Sequence, residues 1–231
     1  MKKHLLIIIS FLLLAAFSKS EANQAISLID VPTADAIDSY GYDVSFRFYT
    51  NGGIIGRASF GVLQRVNIGF AWDFDKFIGS DSIDVQEPTL NVKLRIFDGQ
   101  LFLPALALGY DGQGYAYSKV LDEYLHREKG VYIAASKEIF FPGLEYHLGG
   151  NVYDFKKDEV FGFAGLAFYL IETFAILAEY DNIRLREKNR FNAGIRLFLS
   201  PTISVDLAAR DIAAPGRDEE RIVRINYMGS F

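Results

Sequence analysis

The sequence contains no cysteine among its 231 residues and only three histidines. It therefore has no disulfide, no thiolate ligand for a metal ion and no cysteine to carry a lipid anchor. After residue 17, no stretch approaches the roughly twenty apolar residues that a membrane-spanning helix needs, so any membrane crossing must use strands. A basic excess is also lacking, since the formal net charge is −5. This balance excludes nucleic acid as an expected partner.

The first 22 residues are predicted to be a secretory signal peptide that is removed from the mature protein. Lys2 and Lys3 provide its charged start, and Leu5–Phe17 is mostly apolar. Ser20 and Ala22 place small residues at the −3 and −1 positions of a cleavage site. Residues 23–38 show no clear period and precede the first strand, so we predict that they form a periplasmic N-terminal segment.

From residue 39 onward, apolar and polar residues alternate almost without interruption, which is typical of β-strands with one apolar face. The last stretch, RIVRINYMGSF at 221–231, shows the pattern clearly. Most stretches are close to the nine to eleven residues of a tilted strand that crosses a bilayer. Twelve strands are predicted, at about 40–49, 54–63, 67–77, 89–97, 101–110, 131–136, 144–153, 160–170, 174–180, 191–199, 203–210 and 222–231.

Alternation alone does not say which face points inward, and a soluble lipid-binding barrel has the same period. Three further patterns favour a membrane barrel. Short connections mostly alternate with long ones, aromatic residues gather at strand ends, and charges of both signs occupy mid-strand polar positions. Residues 39–231 are therefore predicted to form an all-β, twelve-stranded antiparallel transmembrane β-barrel. We expect a monomer in the bacterial outer membrane, with lipid around it and periplasmic termini.

With the apolar face toward lipid, fifteen titratable side chains face the lumen and are predicted to contact a solute. Two interpretations remain open: a charged passage or binding surface, or a set of mutually compensating ion pairs in a polar interior. The two signs nearly balance, so strong ion selectivity is not expected. These residues are Asp43, Arg47, Arg57, Asp73, Asp75, Lys93, Arg95, Glu145, His147, Glu179, Asp181, Arg196, Asp206, Arg210 and Arg224.

The sequence predicts no enzyme, no metal site and no cofactor. His126 falls in the long connection after the fifth strand and is predicted to be a solvated loop residue. His147 shares a strand face with Glu145, which could orient an imidazole, but no serine stands in a recognisable nucleophile context. In the same connection, Lys119–Lys129 is predicted to form a short amphipathic helix, with a disordered loop as the alternative.

Several short motifs resemble those of YjbH-like outer-membrane proteins. They are LIDVPTA at 28–34, ALGYDGQGY at 107–115, EYDN at 179–182 and RFNAG at 190–194. The resemblance implies a role linked to exopolysaccharide production or export, with polysaccharide as a partner. The named members of that family are considerably longer. The closing strand also resembles the C-terminal signature that the outer-membrane assembly machinery reads, which makes Tyr227 and Phe231 the predicted assembly signal.

These observations lead to a functional hypothesis for the envelope. The protein is predicted to have a structural or passage role in the outer membrane, linked to exopolysaccharide through the resemblance. A general small-solute porin is the alternative, and an outer-membrane hydrolase is the third. The sequence leaves open whether the lumen is open or blocked.

Overall fold

The computed structural model describes residues 25–121, 123–139, 141–157, 159–184, 189–212, 216 and 218–231. The predicted signal peptide, residues 1–22, lies outside the described residues. Within these ranges, no helix is long and apolar enough to cross a membrane.

Strands dominate the described chain, and their bounds lie close to those that the alternation predicts. The strands are β1 Gly41–Tyr49, β2 Gly53–Leu63, β3 Val66–Asp75, β4 Asp84–Val85, β5 Thr89–Phe97, β6 Ala105–Asp111, β7 Tyr115–Ser118, β8 Glu123–His126, β9 Gly130–Glu138, β10 Leu144–Val152, β11 Phe161–Ile171, β12 Phe174–Ile183, β13 Arg190–Phe198, β14 Ile203–Arg210 and β15 Glu220–Ser230.

Twelve of these strands close into one antiparallel barrel. Strands β1, β2, β3, β5 and β6 pair in sequence order, β6 pairs with β9, and β9 to β15 continue the order. The pairing of β1 with β15 closes the ring. Closure leaves no strand edge unpaired, which a structure immersed in lipid requires because lipid offers no hydrogen bonds. The predicted twelve-stranded antiparallel barrel is confirmed.

The two faces of the wall differ in chemistry as the alternation predicts. Apolar side chains such as Phe70 and Leu166 are about half exposed on the outside. Charged side chains such as Asp73 and Arg210 are buried inside. A soluble barrel would show the opposite arrangement, because water favours exposure of the charges. The apolar exterior therefore forms the surface that contacts lipid.

The connections have different lengths at the two ends of the barrel. One end carries the shorter ones, 64–65, 98–104, 139–143, 172–173 and 199–202, together with the start of β1 and the end of β15. At the other end lie the longer connections 76–88, 112–129, 153–160 and 211–219. The tight Thr50–Gly52 turn and the 184–189 connection also lie there. Transmembrane barrels place short turns on the periplasmic side and long loops outside.

The long connection after β6 contains a β-hairpin, and the predicted helix over Lys119–Lys129 is wrong. Strands β7 and β8 pair with Tyr115 opposite His126 and Tyr117 opposite Tyr124. Val120 and Leu121, which belong to the apolar face of the predicted helix, lie in the turn of the hairpin, where Val120 is 93% exposed. A helix would lose the cross-strand ring contact of Tyr117 with Tyr124, whose centroids are 5.3 Å apart.

The segment before β1 lies inside the barrel instead of in the periplasm. Leu28, Val31 and Ala34 are almost completely buried. An isolated chain in the periplasm would expose these apolar side chains to water, whereas the lumen removes them from it. Residues 25–38, which we call the inserted segment, therefore fill part of the lumen.

Candidate functional site in the barrel lumen

The inserted segment folds back on itself in the lumen. Ser27 forms a bridge with Pro32. Leu28 N donates to Val31 O at 2.9 Å, which closes the turn between them. We call Leu28–Val31 the tip of the segment. The tip reaches the middle of the lumen, and Asp38 then leads to β1 at the end with the shorter connections.

Apolar contacts fix the tip against one side of the wall. Leu28 and Ile29 pack in a cluster with wall residues that include Leu177 and Phe198. Val31 packs in a second cluster with Tyr132 and Phe163. The wall makes room with a residue that has no side chain: a Cβ at Gly165 would lie 2.5 Å from Leu28 Cδ1.

Glu179, on β12, binds the main chain of the tip. One of its carboxylate oxygens accepts hydrogen bonds from Ile29 N at 2.7 Å and Val31 N at 2.8 Å. Asp30 N lies 2.9 and 3.0 Å from the two oxygens. Asn192 Nδ2 also donates to the carboxylate, at 3.1 Å. Four donors thus converge on one side chain, so Glu179 defines the position of the tip.

Two arginines hold the carbonyl side of the tip. Arg196 and Arg224 share Asp206, with ion pairs of 2.6 Å and 2.5 Å. Arg196 Nη2 also donates to Ser27 O at 3.2 Å, and Arg224 donates to Leu28 O. One carboxylate thus compensates two cations, and main-chain oxygens of the inserted segment provide further acceptors.

The returning part of the segment is held by β3 and β5. Lys93 Nζ donates to Ile26 O at 2.7 Å and to Thr33 O and Asp35 O at 3.0 Å each. Asn67 accepts from Ile37 N and donates to Ile37 O, each at 2.9 Å. Wall side chains therefore bind main-chain groups of the segment along its length, much as a strand partner would.

Asp30 projects from the tip between two arginines of the wall. Its Oδ1 lies 2.7 Å from Arg47 Nη1 and its Oδ2 lies 2.6 Å from Arg210 Nε. Both guanidinium groups also stack on the Tyr115 ring, at 4.5 Å and 4.7 Å from its centroid. Because Tyr115 belongs to the β7–β8 hairpin, the hairpin and the inserted segment meet at these two arginines. The lumen is thus filled from both of its ends.

His126, on the same hairpin, is partly buried and contacts its neighbours, so its prediction as a solvated loop residue is wrong. Its ring lies 4.4 Å from the ring of Tyr115, and Arg190 Nη1 lies 2.8 Å from its Nδ1. Burial and the Arg190 guanidinium lower the pKa of His126 from its ordinary value. The neutral form therefore predominates at pH 7.

The wall carries a Ser-His-Glu arrangement that the sequence pattern does not show. Ser136 Oγ lies 2.8 Å from His147 Nδ1, and Glu145 Oε2 lies 3.9 Å from His147 Nε2. Ala34 N also donates to Ser136 Oγ at 2.8 Å. The geometry supports an anchor for the inserted segment, because the three side chains are buried and the serine oxygen is already engaged. Among the described residues, no group of three or more His, Asp or Glu side chains is arranged to hold a metal ion.

A cavity of about 140 Å³ remains beside the inserted segment. Its lining includes the polar side chains of Asp43, Arg57, Asn91 and Lys93. Arg57 forms a 2.8 Å ion pair with Asp111 at the end of β6. This volume holds a few water molecules, which is too little for a continuous wide pore.

The structure places all fifteen predicted lumen residues on the interior face. The strand period alone is sufficient for this, since it fixes which side chains share a face. Sequence reasoning missed Asp30, Asp35, Asp111, Tyr115, Ser136 and Glu220, which complete the ion pairs and hydrogen bonds. Five of these lie outside the predicted strands, where no period assigns a face, and Ser136 is the last residue of one. Tyr227 and Phe231 lie on the outer face, and Phe231 contacts Tyr42 with ring centroids 5.1 Å apart.

Comparisons with known proteins agree with the barrel. No protein-family model matches the sequence, and no curated protein is similar to it. The KdgM porin has a TM-score of 0.52 at 8% identity, covering 83% of this chain and 99% of that one. The NanC porin has 0.39 at 13%, covering 82% and 99%. The Acinetobacter baumannii outer membrane protein Omp33 has 0.41 at 9%, covering 83% and 98%.

The likeness to the KdgM porin shows the fold. Together with the closed sheet and the apolar exterior, it identifies a β-barrel of the bacterial outer membrane.

Proposed function

We propose that the protein is a passage protein for small polar solutes whose lumen is closed in this conformation. The observation that carries the proposal is the way in which the lumen is filled. The inserted segment is not a strand of the barrel and is held by side chains of the wall. It can therefore leave without breaking the sheet. The charged wall that it covers suits a polar solute.

Two further features support a passage role over a purely structural one. A barrel that serves only as a scaffold gains stability from an apolar filling. Here the wall instead carries buried ions such as Lys93, whose three acceptors are main-chain oxygens of the segment. In addition, the closed ring has the fold of a porin.

A reversible lock on the inserted segment tests the proposal. The chain has no cysteine, so the pair Ala34→Cys and Ser136→Cys introduces the only two thiols. The two positions are neighbours in the structure, since Ala34 N lies 2.8 Å from Ser136 Oγ. In planar bilayers we expect the oxidised protein to stay closed. Reductant should restore the openings that the wild-type protein shows.

The single variant Ala34→Cys is the matched control, and its current should not respond to reductant. Wild-type protein that never conducts, with or without applied voltage, would show a structural barrel instead. Equal conductance of the oxidised and reduced pair would show that the inserted segment does not control passage.

We propose in addition that the solute is related to exopolysaccharide, and this proposal rests on the motifs that resemble those of YjbH-like proteins. LIDVPTA includes the tip of the inserted segment, and EYDN contains Glu179, which binds that tip. These motifs therefore lie at the closure itself. Single-channel recordings with anionic oligosaccharides test the link: blockade of open channels supports it, and currents equal to those with neutral oligosaccharides contradict it.

One observation favours the hydrolase alternative: Ser136 Oγ lies 2.8 Å from His147 Nδ1. Outer-membrane hydrolysis of ester substrates that is abolished in both Ser136→Ala and His147→Ala would establish it. Equal rates in wild type and variants would leave the pair as an anchor for Ala34.

We also propose a monomer in lipid, assembled through Tyr227 and Phe231. Sedimentation in detergent and membrane insertion of Tyr227→Ser test these two points.

A further inference from the structure

Two arginines of the wall, Arg47 and Arg210, share a carboxylate that belongs to the inserted segment. The two oxygens of Asp30 bridge Arg47 and Arg210, at 2.7 Å and 2.6 Å. Arg47 lies on β1 and Arg210 ends β14, and both strands flank β15. We call these two guanidinium groups the arginine clamp. A single carboxylate thus joins cations from two wall strands.

The other cations near the clamp have carboxylate partners on the wall or its loops. Lys129 pairs with Asp181 at 2.5 Å. Arg190 lies 3.7 Å from Asp211. Arg210 itself has a second partner, Glu220, at 2.6 Å. Arg47, by contrast, has its ion pair with the segment.

The clamp is positioned independently of Asp30. The Tyr115 ring supports both guanidinium planes from the hairpin side. Tyr115 Oη in turn donates to Glu220 at 3.1 Å, and Arg47 Nη2 donates to Tyr115 Oη at 3.2 Å. If the tip left the lumen, this set of contacts would still hold the two arginines at their present spacing. A prearranged pair of guanidinium groups is a strong recognition site for carboxylate.

Departure of the segment also uncovers other donors. Lys93 loses three main-chain acceptors, and Arg224 loses Leu28 O. Glu179 loses its main-chain donors at the same time, but the clamp itself then carries two guanidinium groups against a single carboxylate, that of Glu220. An anionic solute would satisfy them, whereas a cation would add repulsion.

We propose that the arginine clamp is an anion-binding site of the lumen, and that Asp30 occupies it in place of the carboxylate group of a solute. A solute carboxylate that takes the site displaces Asp30 and releases the tip. Binding and opening are then coupled, because the solute binds only the state without Asp30 in the clamp. The binding step stands by itself, and the coupling step rests on the proposed passage function.

Removal of the internal carboxylate tests the binding step. Asp30→Ala leaves a space between the two arginines that formate can fill. We expect formate to raise the unfolding temperature of the full-length Asp30→Ala protein in detergent, in a saturable manner. Chloride at equal ionic strength should not do so, and the wild-type protein should show a much smaller shift with formate, because Asp30 competes for the clamp. The readout is the temperature at which the compact band on unheated gels is lost.

Two variants serve as controls. Asp30→Asn keeps the volume of the side chain and leaves no space, so its unfolding temperature should be insensitive to formate. Adding Arg47→Gln to Asp30→Ala removes half of the clamp and should abolish the formate response. Equal shifts with formate and chloride, or an unchanged response in the double variant, would overturn the proposal. Failure of Asp30→Ala to fold in formate, with normal folding of Asp30→Asn, would overturn it as well.

Conductance tests the coupling step. Formate should raise the opening frequency of the wild-type channel relative to chloride at equal ionic strength, and equal frequencies would overturn the coupling. A formate response on gels without conductance in any variant would contradict the passage function and leave the binding site supported. The two failures are therefore distinguishable.

Discussion

Some cationic side chains in the lumen bind main-chain oxygens instead of carboxylates. Lys93 illustrates this, because its three acceptors are carbonyl groups of the inserted segment. Carbonyl oxygens satisfy the hydrogen bonds of a buried cation without neutralising its charge. The lumen consequently depends on its carboxylates for charge balance, and a carboxylate that compensates two cations has a large effect on stability.

Asp206 is the carboxylate for which this dependence is greatest. It compensates both Arg196 and Arg224, and its side chain is 3% exposed. Asp206→Asn leaves two buried guanidinium groups facing each other, and breaking a buried ion pair of this kind costs about 3–5 kcal/mol. We expect a loss of that order in the free energy of unfolding, measured by urea titration of the barrel in lipid vesicles.

An exposed ion pair provides the control for Asp206. Arg65 and Asp98 pair at the end with the shorter connections, where both side chains are about half exposed. Asp98→Asn should cost about 0–1 kcal/mol, because solvent screens surface pairs. Equal losses for the two substitutions would mean that water reaches Asp206 freely.

At the level of single residues, the sequence predicts faces but not partners. The period of two puts Asp73, Glu179 and Asp206 inside, because alternate residues of a strand share a face. It does not predict that Glu179 binds main-chain N–H groups 148 to 150 residues earlier. Such a contact depends on the path of a segment without any period.

Among the structural elements, sequence reasoning did not predict the placement of the inserted segment or of the β7–β8 hairpin. Both lack a long alternating run, and both are fixed by contacts with wall residues far away in the chain. The spacing of apolar residues in 119–129 fits a helical face, but the rings of Tyr115 and His126 pair across a hairpin. Local pattern is a weak guide where tertiary contacts decide the conformation.

A glycine of the wall offers a way to displace the inserted segment without altering its own sequence. A Cβ at Gly165 would lie 2.5 Å from Leu28 Cδ1 and 3.5 Å from Val31 Cγ1, so the larger Gly165→Val crowds two side chains of the tip. Valine itself suits a strand. We expect an intact barrel with more frequent channel openings in planar bilayers.

Gly162→Val is the matched control on the same strand. A Cβ at Gly162 would lie 3.4 Å from Ile183 Cβ, at the limit of ordinary contact, on the opposite face of the wall. Its opening frequency should equal that of the wild-type protein. If both variants behave alike, the position of Leu28 does not govern closure.

For the molecule as a whole, the apolar exterior determines where it resides. Leu166 lies at the middle of the eleven-residue β11 and is 47% exposed on the outer face. Arginine on the lipid face near the bilayer midplane costs about 2–4 kcal/mol, falling to about 0–1 near the interfaces. Leu166→Arg should therefore destabilise the barrel in vesicles by the larger amount.

Leu101→Arg is the control for Leu166→Arg, since Leu101 lies in a turn and is 80% exposed. Its cost should be the smaller one. The reverse order in folding titrations would mean that the outer face does not contact lipid at mid-strand. This prediction follows from the sequence alone, because the period identifies the face and the strand length identifies the depth.

The orientation of the barrel in the membrane yields the last prediction. Single cysteines at Ser82 and Val120 lie in the long connections, and those at Gln100 and Thr202 lie in the shorter ones. All four positions are exposed, and no native cysteine competes for the label. Because long loops of such barrels face outward, an impermeant maleimide should label the first pair on intact cells. The second pair should react only after the outer membrane is opened. Labelling of the second pair alone on intact cells would show that the barrel has the opposite orientation. The inserted segment would then enter the lumen from the outside of the cell.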